Sequence, residues 1–268
     1  MRPLHAARRL AFALLVLLSA VPAAAAGCPE HFAGGTEPAL VDPRLAACAR
    51  ELCFRAYAVL HSGATRTPLW SAEHLTAERV EAARGLERTN AFHAEGRLPP
   101  DERAELADYA RSGYDRGHLA PSGDMPDGRS QAESFSLANM VPQARRLNAG
   151  LWSAIEIAVR DRARRGGELY VVTGPIFRGG NLQALRGRVV VPTAVFKAVY
   201  DPKCGTAGAY LAPNTDEAGW EAVSIARLRE VSGIDVFPSL PEEVKAATPK
   251  LPEPHVRERR PPSDRPVP

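Results

Sequence analysis

The chain has 268 residues, 45% hydrophobic and 24% charged, a composition that excludes fibrous and low-complexity classes and fits one large domain or two small ones. Its formal net charge of +3 comes from Arg2, Arg8 and Arg9 near the N-terminus, and without them 31 basic residues face 31 acidic ones. That balance excludes a globally basic nucleic-acid magnet, so any polyanion site must be built from local arginine clusters such as Arg145 with Arg146 or Arg162 to Arg165.

In chain order, Arg2, Arg8 and Arg9 precede an apolar run from Leu10 to Leu18, and Ala24-Ala25-Ala26 supplies small residues for cleavage. Residues 1–26 therefore read as a signal peptide. The run is too short for the roughly 20 apolar residues of a membrane span. The expected product is periplasmic or secreted, without stable membrane association. All four cysteines, Cys28, Cys48, Cys53 and Cys204, lie beyond the leader. In an oxidising compartment an even count favours two disulfides, whose pairing the sequence leaves open. A metal pair at Cys48 and Cys53 is the alternative, and it lacks a second close Cys or His pair.

Residues 27–52, with Gly34-Gly35, Pro38 and Pro43, read as an irregular cysteine-containing arm. From residue 53 the alternation is only partial, but Phe54, Tyr57, Val59 and Leu60 suit one strand and Pro68 to Ala72 another. Residues 73–112 are polar and charged and read as long loops and short helical turns, a length that is often functional. Leu147 to Arg165 predicts the clearest helix, since Leu151, Ile155, Ala158 and Val159 recur at helical spacing before Gly166-Gly167. Strands follow over 168–173, 189–200 and 208–212, then a helix from Ser224 to Val231 ending at Gly233. Residues 248–268, with seven prolines, read as a disordered tail. Strands on both sides of one strong helix, without regular βαβ alternation, predict an α+β domain over 53–247 with a mostly antiparallel sheet.

Two windows carry chemistry. Asp115-Arg116-Gly117-His118 packs an acid, a guanidinium, a glycine suited to close backbone approach and an imidazole into four residues. An imidazole with an ordinary pKa of about 6.5 can take a proton from water, and an adjacent arginine can neutralise a phosphate. The bland alternative is a surface loop in which His118 packs or caps. In the second window, Ser136 to Gln143 runs into a helix on which Asn148, Trp152 and Glu156 form one i, i+4, i+8 row beside the apolar stripe. The bland alternatives there are an N-cap for Asn148 and a solvated helix face for Glu156.

Together the windows resemble the DNA/RNA non-specific endonucleases of the ββα-metal superfamily over roughly residues 53–245. Asp115 to His118 is similar to that family's DRGH motif, Asn139 to Gln143 to its N-x-x-PQ segment, and Asn148 to Glu156 to its N-x-G-x-W-x-x-x-E helix. Thr173-Gly174-Pro175-Ile176-Phe177, Val191-Pro192-Thr193 and Gly233 to Pro238 fit as well. The resemblance implies a ββα-metal nuclease fold, with a central mostly antiparallel sheet flanked by helices, and an endonuclease acting on DNA and RNA. It implies His118 as general base, Asn148 as the one direct ligand of a Mg²⁺ otherwise held by waters, with Mn²⁺ able to stand in, and Glu156 orienting those waters. Arg116 would bind phosphate, Asn139 would help hold His118, and Arg88 would be a second arginine near the phosphate. A homodimer is left open. The seven histidines include no close pair, so zinc is not favoured.

Two rival classes stand against an enzyme of this kind. A catalytically silent binding protein on the same fold predicts loss of the base or the metal ligand, yet His118, Asn148 and Glu156 are all present. A phosphoesterase for small molecules requires a closed pocket.

Overall fold

The computed structural model describes residues 27–217, 219–248 and 250–256. The leader expected over 1–26 lies outside the described residues, as does the end of the expected tail, 257–268. Strand β1 (Ala39–Leu40) is short; β2 (Ala49–Cys53), β3 (Ala58–Ser62) and β4 (Thr67–Thr76) follow, then helices α1 (Ala77–Ala83) and α2 (Leu106–Tyr109). Next come β5 (Tyr114–His118), α3 (Gly128–Ser134), β6 (Met140–Ala144), a π-helical turn over Leu147–Trp152, and α4 (Ser153–Gly166). The second half adds β7 (Glu168–Ile176), β8 (Ala184–Leu185), β9 (Val189–Val190), β10 (Ala194–Asp201), β11 (Thr206–Pro213) and β12 (Glu221–Val223). Helix α5 (Ile225–Ser232), β13 (Ile234–Asp235) and α6 (Glu242–Ala246) complete it.

A seven-stranded sheet in the order β12-β11-β10-β7-β4-β3-β2, every pair antiparallel, divides the molecule. The pleat sends Leu75, Val171, Val195 and Val199 to one face, where Ile155, Val159 and Ala163 of α4 cover them. It sends Trp70, Ala72, Val172, Phe196 and Ala198 to the other, against Ile225, Leu228 and Val231 of α5. Because both faces are covered, apolar residues occur at both parities of β3, β4, β7 and β10, which blurs the alternation from residue 53 onward. The α+β class and the mostly antiparallel sheet agree with the expectation from sequence.

Capping explains the helix read from Ser224 to Val231. The Ser224 side chain accepts from the Arg227 N–H, and Gly233 ends the helix in the left-handed region at φ 72°, a conformation that costs glycine little. The helix read over 147–165 is present, with its first turn widened to π geometry. Such turns displace side chains from the regular row and often mark functional sites.

Three segments differ from their sequence reading. Strand β4 runs on to Thr76, inside the stretch read as loop, because Glu73 and Leu75 are buried against the α4 face. The arm over 27–52 is integrated: Cys28, Phe32 and Ala33 enter the core, β1 pairs with β13, and Ala49 to Cys53 form the sheet edge. Residues 250–256 of the expected disordered tail are seated, with Leu251 buried in the α4 core and Pro252 accepting a hydrogen bond from the Tyr210 hydroxyl at 2.7 Å.

The expected two disulfides are corrected to one, Cys28–Cys53, with Cys48 and Cys204 free and exposed. Cys48 precedes β2 at one sheet edge, whereas Cys204 lies in the β10–β11 turn at the opposite end of the strands. Four strand spacings alone put them about 19 Å apart, beyond the reach of a bridge. The native protein should therefore react with two equivalents of a thiol reagent without unfolding, and with four after denaturation and reduction. Cys53→Ser should lower stability by about 2–5 kcal/mol, read as a shift in denaturant midpoint.

Candidate active site

Strand β5 pairs with β6 so that Asp115 lies opposite Gln143 and His118 opposite Met140. The chain leaves β6 and enters the π turn within three residues, so both chemistry-bearing windows meet at one cleft of about 380 Å³. Arg88, Arg116, His118, Asn148, Glu156 and Arg160 line it. Asp115 stands just behind the wall, and Asn139 lies fully buried beneath it.

Asn139 fixes the residues that follow His118. Its main-chain carbonyl accepts from the Leu119 N–H at 3.0 Å, and its Oδ1 accepts from the Ala120 N–H at 3.0 Å. Its Nδ2 donates to the carbonyls of Ala120 at 2.8 Å and Ser134 at 3.0 Å, and Ser71 Oγ on β4 donates to Oδ1 at 2.8 Å. A buried amide with every site used is a rigid clamp.

The His118 ring packs edge-on to Phe135 at 5.0 Å and tilts against Phe92 at 5.7 Å. Its Nε2 is buried with no hydrogen-bond partner among the described residues. Burial first, and then the charges of Arg88 and Arg116, push its pKa down to about 3. The imidazole is thus neutral in the empty cleft, and a weak base there so long as the two guanidinium charges stand unanswered. The same two aromatic rings hold the guanidiniums: Arg116 lies 4.1 Å over Phe92 and Arg88 5.3 Å over Phe135. Arg88 also donates from Nε to Asn90 at 3.1 Å.

Asn148 is not a helix cap. Its Nδ2 donates to Asp115 Oδ2 at 3.0 Å, which leaves its Oδ1 unpaired among the described residues. Arg145 Nε sits 3.6 Å from the other oxygen of Asp115. Glu156 is not on a freely solvated face: burial pushes its pKa up to about 7, against the opposing charges of Lys197 and Arg160. Glu73, fully buried on β4, is pushed up to about 8, again by burial first.

Gly117 also meets a packing constraint: the Gln143 side chain lies against it, and a Cβ at residue 117 would lie 2.7 Å from Gln143 Cβ and 2.9 Å from its Cδ. The arginines at 162–165 stay out of the cleft, with Arg162 paired to Asp201 and Arg164 to Asp161. Sequence reasoning missed Phe92, Phe135 and Arg160. Arg160 continues the Asn148–Trp152–Glu156 row by four residues and donates from Nε to Asp124 at 2.5 Å, so that row was a usable signal. Nothing in the sequence marked the two phenylalanines.

Among the described residues the only His/Cys/Asp/Glu trio close enough for a metal is Cys28, Glu51 and Cys53, and its sulfurs are joined in the disulfide. That closes the alternative of a Cys48–Cys53 metal pair. The cleft instead offers hard oxygen donors, the free amide oxygen of Asn148 and the Glu156 carboxylate, a set that fits a hard divalent cation keeping several waters. No helix of the described residues is long and apolar enough to cross a membrane.

A family model described as DNA/RNA non-specific endonuclease matches residues 42–243. The chain is 31% identical over 200 residues to "Nuclease EXOG, mitochondrial" of Danio rerio, covering 66% of this chain and 58% of that protein. It is 31% identical over 208 residues to "Nuclease" of a Nostoc species, covering 71% of this chain and 74% of that one. The chain thus spans a little over half the length of the mitochondrial relative. In fold it is similar to a chain in the crystal structure of the EndoG/EndoGI complex, with a TM-score of 0.65 at 24% identity, covering 74% of this chain and 89% of the other.

A pH dependence follows from Glu156 and Glu73. Their folded pKa values lie above the ordinary carboxylate value, so the folded state holds protons that the unfolded state has released, and stability falls as pH rises through that window. The depressed histidines, His118 above all, pull the other way over the same range, so the test is differential: the gain in urea midpoint from Glu156→Gln in the metal-free protein should be larger at about pH 8 than at about pH 5. An equal gain at both would mean that Glu156 is ionised at both.

Proposed function

The chain belongs to the DNA/RNA non-specific endonuclease family, and from that premise we propose that it is an exported, Mg²⁺-dependent endonuclease. It hydrolyses phosphodiester bonds of DNA and RNA with little sequence preference. The observation that carries the reading is the pairing of Asn148 Nδ2 with Asp115 Oδ2 at 3.0 Å, which turns the amide oxygen toward use as a ligand in a cleft shared with a neutral imidazole and two arginines.

His118 acts as general base, taking a proton from the attacking water once a bound phosphate offsets the two arginine charges that, with burial, depress its basicity in the empty cleft. Arg116 and Arg88 bind phosphate oxygens, and their aromatic supports hold them in place before substrate arrives. Asn148 is the direct metal ligand, and Glu156 orients the water shell. Asn139 positions His118 through the segment that follows it. Bound there, Mg²⁺, or Mn²⁺ in its place, supplies positive charge against that developing on the phosphate and the leaving 3′ oxygen. A base that activates water and a metal that answers the charge need no ribose hydroxyl, so DNA and RNA are both substrates on this reading.

Export is supported by the leader read over 1–26 and by the Cys28–Cys53 disulfide, a bond suited to an oxidising compartment. The nuclease unit on this reading takes in the arm at 27–52 as well as 53–247, since that arm contributes to the sheet and the core and is joined to β2 by that bond.

A base and a metal ligand should fail differently. His118→Ala should lower turnover by roughly 10²–10⁴ while nucleic-acid and Mg²⁺ binding persist. Asn148→Ala should weaken Mg²⁺ binding, so that the rate saturates at a higher Mg²⁺ concentration and added metal restores part of it. The measurement is cleavage rate against Mg²⁺ concentration, with EDTA as control and circular dichroism to confirm the fold. Wild-type activity in His118→Ala, or an unchanged Mg²⁺ dependence in Asn148→Ala, contradicts the assignment.

A further inference from the structure

Beneath the cleft lies a buried cation with no contact to the lining. Lys197, on the central strand β10, is 1% exposed, and an ammonium in such a place is costly unless its charge and its N–H donors are answered. Register puts Lys197 opposite Thr173 on β7, and Thr173 opposite Ser71 on β4. The three polar side chains form one row across the sheet, on the face that carries α4. Lys197 Nζ donates to Thr173 Oγ1 at 2.6 Å and to the main-chain carbonyl of Leu119 at 3.2 Å. The same nitrogen lies 5.8 Å from the ring centroid of Trp152, the residue midway between Asn148 and Glu156 in sequence.

Both ends of the row therefore grip the segment just after His118. Ser71 acts through Asn139 on Ala120, and Lys197 acts directly on Leu119. We propose that Lys197 is a positioning residue for the reaction, its buried ammonium holding the Leu119 carbonyl so that the preceding imidazole keeps its direction into the cleft. Through the face of Trp152 the same charge is tied to the helix that carries Asn148 and Glu156. Stability alone does not account for it, since a buried charge can often be exchanged for an apolar side chain of similar volume without loss. On the same face, Glu73 is fully buried with Oε2 unpartnered among the described residues. It and Glu156, whose raised pKa Lys197 opposes, are the carboxylates left less compensated if the lysine is removed, and of the two only Glu73 lies outside the cleft.

The inference rests on the reading of His118 as the base, and its test separates the two. Wild type, Lys197→Met and the double variant Lys197→Met/Glu73→Gln are compared in Mg²⁺-dependent cleavage of a duplex oligonucleotide. The His118 imidazole resonance is recorded for each by NMR. Both variants should lose about 10- to 10²-fold in kcat, the scale of a slightly misplaced reacting group, with KM unchanged within about twofold because Arg88 and Arg116 are untouched. Glu73→Gln should restore the melting temperature lost in the single variant but not kcat, and the His118 resonance should be displaced in both. A double variant with wild-type kcat, or an unmoved His118 resonance, overturns the proposal and leaves Lys197 a mere counter-charge. Thr173→Val keeps every charge and, should the lysine variants not fold, decides the same question: a smaller loss of kcat supports the proposal and no loss overturns it. Wild-type protein without any cleavage would refute the nuclease reading instead, while the imidazole resonance would still report on positioning.

Discussion

The candidate site depends on one constraint, the docking of the backbone from His118 to Ala120 onto the central sheet. A strand that ends at a solvent-filled cleft would ordinarily fray, since its last N–H and C=O groups lack a ladder. Here the Leu119 N–H, the Leu119 carbonyl, the Ala120 N–H and the Ala120 carbonyl are all taken, three by Asn139 and one by Lys197. Lys197 stands on a strand covered on both faces, and Asn139, in the short turn before β6, is held to another such strand by Ser71. The imidazole thereby inherits the rigidity of the core rather than the mobility of a loop, as a preorganised reacting group requires.

Charge is arranged with the same economy. Two guanidiniums beside an imidazole disfavour its protonation, and burial does so more strongly, so on the proposed reading a bound phosphate that answers the arginines would also return basicity to His118. The arginines are held not by acids, which would cancel them, but by the faces of Phe92 and Phe135. Acids are placed where they steer other groups. Asp115 orients an amide, Asp124 anchors Arg160, and Glu156 sits where burial holds it close to neutrality until a cation arrives. A chain with balanced overall charge can thus present a local phosphate site, which its composition alone does not reveal.

Much of this was legible in the sequence, for identifiable reasons. Residues adjacent in the chain, such as Arg116 and His118, or spaced along one helix, such as Asn148 and Glu156, are brought together by local geometry, so pattern sufficed. The cap at Ser224 and the stop at Gly233 were legible because capping is local chemistry. What depends on strand register was not. Lys197 looks like one charge in a strand until Thr173 and Leu119 are placed beside it, and Phe92 and Phe135 look like loop and core residues until they meet. The packing of the Gln143 side chain, two pairs along the ladder, against Gly117 could not be foreseen either. Cysteine pairing failed for the same reason, since the free thiols lie at opposite ends of the sheet.

The central claim is that a water molecule, deprotonated at His118, attacks a phosphodiester irrespective of the sugar. It is tested most directly by cleaving a DNA and an RNA of the same sequence in ¹⁸O-labelled water with Mg²⁺ and weighing the products. The account predicts that both are cut and that each new terminus is a 5′-phosphate carrying one labelled oxygen. Cleavage of RNA alone, with unlabelled cyclic phosphate as the first product, would contradict it.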